Sequence, residues 1–346
     1  MKKILIATDA WKPQINGVVT VLDNLIVLLE KKGFAVAIIH PALFWNMPVF
    51  WFPDLKLTLL NIKTINDIIK KEKPDFVHIV TEGPIGLAVR GICLRKKIKF
   101  TTSYHTNFHQ FIKMRMGETA GELFVEPTYK YMRWFHSKAE RTMVGSQSLS
   151  DELTQNKFKN IVMWPLGVDT EIFRKNPAAR IHEEWKRPIF VTLGRVAMEK
   201  SPEEFLKLNL PGTKLVIGDG PLRKTLEAQY PHAVFVGFKK KDELVDLLSI
   251  SDCFVFPSRT ETLGLVALEA MSCGVPVAAH DVMGPKDIIT NGVDGYLDED
   301  LERAANDCLK LDRAKCREKA LQFTWNASAE AFIQNLVLSR ESLNKE

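Results

Sequence analysis

Short, continuous apolar runs alternate with longer amphipathic runs along this chain. "KILIATD" (Lys3–Asp9) is typical of a strand. "VVTVLDNLIVLLEKKG" (Val18–Gly33) spaces its apolar residues by three and four, which predicts a helix that stops at its final glycine. "DFVHIV", "KFTTSYH", "RTMVGS" and "NIVMWP" continue the series of predicted strands. Because such runs suit strands covered on both faces, the pattern predicts a parallel sheet with crossover helices.

The alternation starts again with "PIFVTLGR" (Pro188–Arg195) and continues through "TKLVIGDG", "AVFVGF", "CFVFPS" and "VPVAAH". A polar, proline-punctuated segment separates the two series and is the best candidate for a linker. The chain is therefore predicted to be an α/β protein of two tandem doubly wound Rossmann-like domains with an interdomain cleft. The predicted boundaries are 1–168, a linker over 169–187, 188–325, and a carboxy-terminal helix over 326–346 that can pack back on the first domain.

Composition narrows the class of protein. The chain has 346 residues, of which 46% are hydrophobic and 26% charged, and this is typical of globular domains. No run of 18 apolar residues appears, and the apolar part of "MKKILIATDAW" is too short for the core of a signal peptide. The five cysteines are scattered without a C-x-x-C pair, which argues against a disulfide framework or a zinc site. We therefore expect a cytoplasmic protein, either free or peripheral at the inner face of the cytoplasmic membrane.

Charge is distributed unevenly between the two halves. Residues 1–170 contain 23 Lys and Arg against 15 Asp and Glu, a balance of +8, whereas the remainder has 24 against 27, a balance of −3. The first half should attract an anionic partner such as acidic lipid or phosphate. Ordinary scatter of surface charge is the alternative interpretation.

Two carboxylates interrupt the apolar stretch "TETLGLVALEAMSCGVPVAAHD" (Thr260–Asp281): Glu261 and Glu269, with Gly264 between them. In such surroundings a carboxylate should be paired or should face a cleft. A helix predicted to begin after Gly264 would offer its first N–H groups to an anion. Carboxylates accept hydrogen bonds from sugar hydroxyls. The pattern thus predicts a ligand with phosphates in its middle and hydroxyls at both ends, as in a nucleotide sugar.

Two further segments support a phosphate site, each weakly by itself. "LGRVAMEK" places Arg195 and Lys200 just after the first strand of the second half, where both could contact one diphosphate. An ordinary surface arginine and lysine is the alternative. "VIGDGPLR" places Gly218 and Gly220 after a strand, but Arg223 occupies the third glycine position of a dinucleotide fingerprint.

Together these segments resemble a known family. "GRVAMEK", "VIGDGP", "VGF", "FPSRTETLGLVALEAMSCGVPVAA" and "GPKDIITNGVDGYL" are similar to the retaining family-4 glycosyltransferases of GT-B fold. In the first half, "TDAWKPQINGVVTVL", "TEGPIGLAVR", "TTSYHTNF" and "YMRWFHSKAERTMVGSQSL" resemble the branch of α-mannosyltransferase-like and sulfoquinovosyltransferase-like enzymes. The resemblance covers nearly the whole chain, in order.

The resemblance implies roles for particular residues. Glu261 would face the transferred sugar and Glu269 the nucleotide ribose, while Arg195 and Lys200 would contact the diphosphate. His105 would lie near the reacting face of the sugar. The donor would further be bound by residues of the amino-terminal loop, the glycine turns, the base pocket and the helix start: Gly17, Gly194, Gly218, Gly220, Val236, Gly237, Phe238, Leu263, Gly264 and Leu265.

The implied reaction is the retaining transfer of a hexose from a nucleotide-diphosphate sugar to a hydroxyl of a lipid or glycan, with mannose from GDP-mannose favoured. Leu263 stands where many relatives have phenylalanine, and Asn16-Gly17 where many have two glycines, so the donor is left open. No cofactor or metal is expected, because Arg195 and Lys200 would neutralise the diphosphate. The D-x-D pattern at Asp298–Asp300 is predicted to be a helix cap. Nucleic acid is not an expected partner.

The acceptor side is predicted less sharply. Aromatics crowd "LFWNMPVFWFPDL" (Leu43–Leu55), joined by Trp11, and they mix with cations in "KYMRWFHSKAER" (Lys130–Arg141). Either segment could rest on an anionic membrane surface, or could pack onto its own domain. Two alternative functions remain: a sugar-nucleotide epimerase of similar fold, and a non-catalytic nucleotide-sugar-binding protein.

Overall fold

A computed structural model describes residues 1–14, 16–49, 52–59, 61–107, 112–113 and 117–339. The chain divides into two compact units. The first comprises Met1–Thr106, Val125–Pro165 and Trp325–Glu346, and the second comprises Asn107–Phe124 and Leu166–Thr324. The segment predicted as a linker, 169–187, thus belongs to the second unit.

The first unit is built on a six-stranded sheet with a separate two-stranded ribbon. Its strands are β1 (Lys3–Ala7), β2 (Ala35–Ile39), the ribbon strands β3 (Trp45–Val49) and β4 (Phe52–Leu59), then β5 (Phe76–Ile79), β6 (Thr101–Tyr104), β7 (Arg141–Val144) and β8 (Ile161–Met163). The order across the sheet is β2-β1-β5-β6-β7-β8, with every neighbouring pair parallel. Ribbon strands β3 and β4 pair antiparallel with each other.

Helices α1 to α5 connect these strands. Their bounds are α1 (Gly17–Lys31), α2 (Ile62–Glu72), α3 (Pro84–Lys96), α4 (Glu118–His136) and α5 (Gln147–Gln155). Helix α1 confirms the spacing seen in the sequence, because Val21, Leu22, Leu25 and Leu29 are buried along one stripe. The side chain of Asn16 caps this helix by accepting a hydrogen bond from the Val19 amide at 3.0 Å.

The second unit contains another six-stranded parallel sheet. Its strands are β9 (Ile189–Leu193), β10 (Thr213–Ile217), β11 (Val234–Gly237), β12 (Cys253–Phe256), β13 (Val277–Ala279) and β14 (Gly295–Leu297). The helices that follow along the chain are α6 (Pro202–Lys207), α7 (Arg223–Gln229), α8 (Lys241–Ile250), α9 (Leu265–Ser272), α10 (Pro285–Ile288), α11 (Leu301–Cys308), α12 (Arg313–Ala320) and α13 (Trp325–Asn335).

The strand order of the second sheet is β11-β10-β9-β12-β13-β14, which is the Rossmann order with its reversal between β9 and β12. In the first sheet the order reverses between β1 and β5. These results confirm the predicted fold class of two Rossmann-like domains. They also locate the expected ligand positions, since open parallel sheets bind ligands beyond the carboxyl ends of the strands at such a reversal.

Helix α13 belongs to the first unit, although it follows the second unit in sequence. The indole Nε1 of the buried Trp164 donates to the Ser328 carbonyl at 3.2 Å and lies 3.1 Å from the Ser328 hydroxyl. The ring of Phe332 lies 5.0 Å from the ring of Trp164. An aromatic core contact therefore fixes this helix on the first sheet.

Two predictions about local structure and membranes can be compared with the fold. The Asp300 carboxylate accepts a hydrogen bond from the Arg303 amide at 3.1 Å and caps α11, which confirms the helix-cap interpretation of the D-x-D pattern. Within the described ranges, no helix combines the length and the apolarity that crossing a bilayer requires.

Candidate functional site

Two loops meet at the reversal point of the second sheet. The loop after β9 carries Arg195 and Lys200, and the loop after β12 carries Glu261 and leads into α9. The hydroxyls of Ser258 and Thr260 each donate to the carbonyl oxygen of Glu199 at 3.1 Å, so the two loops are tied together. Residues of both loops line one small pocket.

The Lys200 ammonium forms an ion pair with the Glu261 carboxylate. This contact brings together two residues that the sequence places 61 positions apart. The Lys200 side chain keeps 35% of its surface exposed and that of Arg195 keeps 39%. Arg195 also lies near its neighbour Glu199, with 3.6 Å between Nη1 and Oε1. Both predicted phosphate ligands thus stay accessible to an incoming anion.

Helix α9 begins immediately after Gly264, which lies against Phe256, a residue that lines the pocket. Gly264 has φ +93° and ψ +65°, and a Cβ added to it would lie 2.7 Å from Cε1 of Phe256. Only glycine fits this combination of left-handed backbone and close contact. Glycine has no side chain with which to cap the helix, so the first-turn N–H groups retain their positive potential. The predicted helix is confirmed, and Gly274 follows its last turn with φ +75°.

Glu269 lies in the second turn of α9 and is partly buried. Burial raises its pKa to about 7, and the nearby charge of Lys241 opposes that rise. The carboxyl group is therefore close to half ionised at neutral pH. It can bind a hydroxyl most strongly as the acceptor-only anion, which forms above this pKa.

The turn after β10 packs its backbone against the loop after β9. A Cβ on Gly218 would lie 1.9 Å from the carbonyl oxygen of Gly194, and one on Gly220 would lie 2.4 Å from that of Val196. Gly218 also has φ +130° and donates to the Gly237 carbonyl at 2.9 Å. These glycines therefore have a structural reason to be glycine, whatever they bind: they allow three loops to lie against each other.

The predicted base pocket follows β11 beside this turn. Val236 and Gly237 end the strand, and the Phe238 side chain is 59% exposed. A large exposed ring at the carboxyl ends of the strands could stack against a base. Its role as a base contact stays a prediction.

Two predicted residues lie in the first unit. His105 follows β6, and burial lowers its pKa to about 4, so its imidazole is neutral at pH 7. Its ring lies 5.6 Å from that of Trp164. Gly17 is the first residue of α1, and an added Cβ would meet nothing within 4 Å. Packing in the first unit thus gives no reason for glycine at position 17.

Sequence reasoning missed a polar network beside the site. The buried His280 follows β13, and its Nε2 lies 2.9 Å from a carboxylate oxygen of Glu204 on α6. Arg259, on the loop that carries Glu261, pairs with Glu299 at 2.9 Å. The sequence does place polar residues soon after these strands, which could have marked them as site candidates. It does not indicate which of them contact one another. Ser258, Thr260 and Glu199 were missed for the same reason.

No metal was expected from the sequence, whereas aromatics on the acceptor side were singled out. Across the part of the chain that the structure describes, no group of three or more His, Cys, Asp or Glu side chains is arranged to hold a metal ion. Phe50 and Trp51 lie outside the described residues. Trp11 stacks on His40 with 5.2 Å between ring centroids, and Phe44 packs against the core of the first unit.

Two protein-family models match this chain, one in each half. The family model described as "Glycosyltransferase Family 4" matches residues 15–172. The family model described as "Glycosyl transferases group 1" matches residues 175–323. Both halves are therefore matched, in the order that the sequence motifs indicated.

Three similar proteins illustrate the range of relatives. A sulfoquinovosyl transferase from Arabidopsis thaliana is 32% identical over 266 residues, a match that covers 72% of this chain but only 51% of that protein. A GDP-mannose-dependent α-mannosyltransferase from Mycolicibacterium smegmatis is 27% identical and is matched over 99% of both chains. The solved structure of a sucrose-phosphate synthase from Thermosynechococcus elongatus aligns with a TM-score of 0.78 at 20% identity, covering 96% of this chain and 98% of its own, and it supports the fold alone.

Proposed function

Because the chain belongs to the family-4 glycosyltransferases of GT-B fold, we propose that it transfers a hexose with retention of configuration, using GDP-mannose as its preferred donor. The proposed acceptor is a hydroxyl group of a lipid or glycan. The relative matched over its full length is GDP-mannose-dependent, which supports this choice of donor. Nucleotide-sugar use itself follows from the family.

One observation carries the mechanism: Lys200 pairs with Glu261, which stands three residues before Gly264 at the uncapped start of α9. A diphosphate entering here would compete with Glu261 for the ammonium group and would gain the N–H groups of the helix. Charge-assisted hydrogen bonds of this kind contribute about 1.5–3 kcal/mol each. Glu261, released from Lys200, would then be free to accept a hydrogen bond from a hydroxyl of the transferred sugar.

In the proposed reaction the acceptor oxygen attacks the anomeric carbon on the face from which the diphosphate departs. The bond from that carbon to the leaving phosphate oxygen breaks as the new glycosidic bond forms. The leaving phosphate takes the acceptor proton, so no protein base is required. Lys200, Arg195 and the start of α9 stabilise the negative charge that grows on the diphosphate.

Other predicted residues keep supporting roles in this proposal. Glu269 would accept hydrogen bonds from the ribose hydroxyls, and the exposed Phe238 would contact the base. His105 would orient the transferred sugar as a neutral imidazole, since burial keeps its pKa near 4. A neutral ring can donate one hydrogen bond and accept one, but it carries no charge toward the diphosphate.

The proposed lipid side of the acceptor rests on exposed apolar surface of the amino-terminal half. Trp45 is 69% exposed at the start of β3 in the first unit. Trp134, on α4, is half exposed, and the Arg90 guanidinium lies 4.1 Å from its ring. Aromatic rings next to cations suit the interface of an anionic bilayer, and the positive balance of residues 1–170 favours the same surface.

Thermal unfolding with a panel of GDP- and UDP-sugars tests the donor. GDP-mannose should raise the melting temperature most, because the ligand that binds the folded state most tightly stabilises it most. Transfer should then be measured with the stabilising donor and a lipid extract. Stabilisation by a UDP-sugar alone would overturn the donor assignment. Isomerisation of the sugar when donor is supplied without acceptor would favour an epimerase, and binding without any turnover would favour a non-catalytic protein.

A further inference from the structure

The second unit contains another cavity, at the opposite edge of its sheet from the site described above. Its volume is about 320 Å³, within the usual range for small-molecule pockets. Arg187 lies just before β9, and Ile250 ends α8 just before β12. The predicted donor residues follow the carboxyl ends of these same two strands, so one strand length of about 15 Å separates the two places.

The cavity concentrates positive charge in a half of the chain that is negative on balance. Four cations line it: Lys175, Arg180, Arg187 and Arg313. No aspartate or glutamate is among the lining residues. Asp252 is not among the lining residues, but it pairs with Arg187 and lies 3.9 Å from Arg313. Among the described residues, neither Lys175 nor Arg180 is paired with a carboxylate, so positive charge remains in excess.

Hydrogen bonds hold the walls of the cavity in place. Asn176 is fixed to α8, because its amide donates to the Ser249 hydroxyl at 2.8 Å and its side chain donates to Asp246 at 2.6 Å. Arg313 is fixed from the other side, since its guanidinium donates to the carbonyls of Gly274 and Ser251 at 2.8 Å each. The cations are therefore presented on anchored backbone, which lowers the ordering cost of binding a ligand.

Arg313 is incompletely satisfied in this arrangement. Its buried Nη2 atom has no hydrogen-bond partner among the residues that the structure describes. Burial also lowers the pKa of this guanidinium, which means that the protein holds a partly desolvated cation here. Leaving a cation partly desolvated costs free energy, and an anion bound in the cavity would lie beside this one, since Arg313 lines the cavity.

We propose that this cavity is a second ligand site, separate from the donor site, that binds a small phosphorylated molecule through Lys175, Arg180 and Arg313. The ligand class follows from the chemistry: several cations converge on a space that fits a phosphosugar or a diphosphate. Ser249 and Asn176 add neutral hydrogen-bonding groups at the wall. The site depends on no assumption about the transferred sugar.

Isothermal titration of the full chain with inorganic pyrophosphate tests the proposal. The wild type should bind at two sites, one at the donor loops and one at the cavity. The double variant Arg195→Ala/Lys200→Ala should still bind pyrophosphate at the cavity. The double variant Lys175→Ala/Arg180→Ala should keep the donor event and weaken the cavity event by about tenfold or more.

A charge-matched control uses Lys224→Ala/Lys310→Ala, which removes two exposed cations outside the cavity lining. It should behave as the wild type, and melting curves should show that all three double variants fold. The proposal is overturned if Arg195→Ala/Lys200→Ala abolishes all pyrophosphate binding. It is equally overturned if the cavity variant and the charge-matched control lose affinity to the same extent.

Discussion

The two sheets of this protein reverse their strand order in the same way, but the charged groups at the two reversal points differ. In the first unit, α3 begins after β5, and the Asp9 carboxylate accepts hydrogen bonds from the Ile85 amide at 2.8 Å and the Gly86 amide at 3.3 Å. The chain's own carboxylate therefore occupies the helix start. In the second unit, Gly264 leaves the start of α9 uncapped, and Lys200 lies beside it paired with Glu261.

This contrast shows that topology alone does not make a phosphate site. Both helices offer N–H groups at the carboxyl edge of a parallel sheet, where anions are favoured. Asp9 is held tightly at the first start, since Gly83 approaches it so closely that an added Cβ would lie 2.6 Å from its Cγ. An external phosphate could enter there only by displacing the Asp9 carboxylate, whereas Arg195 and Lys200 near α9 stay partly exposed.

Removing Lys200, the cation at the reversal point of the second sheet, should have the largest effect on activity. We expect Lys200→Ala to lower kcat/KM for transfer by about 10²–10³-fold, because the leaving diphosphate loses a charge-assisted bond in the transition state. Lys207→Ala is the matched control, since that lysine is 64% exposed on α6 and pairs only with its neighbour Glu203 in the described structure. A loss of less than threefold in Lys200→Ala would show that the ion pair is structural.

The second prediction tests why glycine is needed at position 264, immediately before α9. Gly264→Ala should lower the free energy of unfolding by about 2 kcal/mol, because alanine combines an unfavourable φ of +93° with a Cβ 2.7 Å from the Phe256 ring. Gly17→Ala is the control, since nothing lies within 4 Å of its added Cβ. Urea titration measures both variants. Equal changes in the two would mean that neither the backbone conformation nor the contact with Phe256 has the expected cost.

Removing the Asp9 carboxylate from the start of α3 should have a smaller effect, which is limited to folding stability. Asp9→Ala leaves the Ile85 and Gly86 amides without their acceptor and should lower the free energy of unfolding by about 1–2 kcal/mol. Asp9→Asn keeps one acceptor oxygen and should lose less. Stabilisation by the donor sugar, measured as a shift in melting temperature, should be unchanged in both variants. A clear loss of donor stabilisation would mean that the first reversal point also contributes to donor binding.

The smallest effect concerns the pH dependence of donor binding. Burial raises the pKa of Glu269 to about 7, so the fraction of ionised carboxylate falls about tenfold between pH 8 and pH 6. If the anion accepts the ribose hydroxyls, the KM for donor should rise by about tenfold over this range. The same raised pKa means that folding stability should fall as pH rises from 4.5 to 7, since the unfolded chain ionises first. Glu269→Gln should show a flat KM profile; an unchanged slope in that variant would assign the titration elsewhere.

The sequence predicted the regular parts of both units because their signals are local. Strand β12 is buried at every position and appears as a continuous apolar run, and α9 ends where Gly274 follows it. Glu261 and Lys200 could be predicted as partners of one ligand because each follows a strand at the same edge of the sheet. Their direct ion pair needed the structure, since 61 residues separate them.

Contacts made by backbone groups could not be predicted. The Glu199 carbonyl that accepts from Ser258 and Thr260 could belong to any residue type, so no side-chain pattern marks it. The glycines at 218 and 220 suggested a phosphate turn, whereas the structure explains them by close packing on distant backbone. The sequence also did not predict the ribbon of β3 and β4 within and after Leu43–Leu55, because each of its strands contains a proline.

The return of α13 to the first unit has a consequence for how this protein is made. The indole of Trp164 finds its hydrogen-bond acceptor on Ser328, a residue that leaves the ribosome 164 positions later. The amino-terminal half is therefore synthesised first but completed last, after the whole second unit has emerged. A nascent chain stalled before residue 325 would carry an unfinished amino-terminal core with an exposed aromatic face, and chaperones would be expected to recognise it.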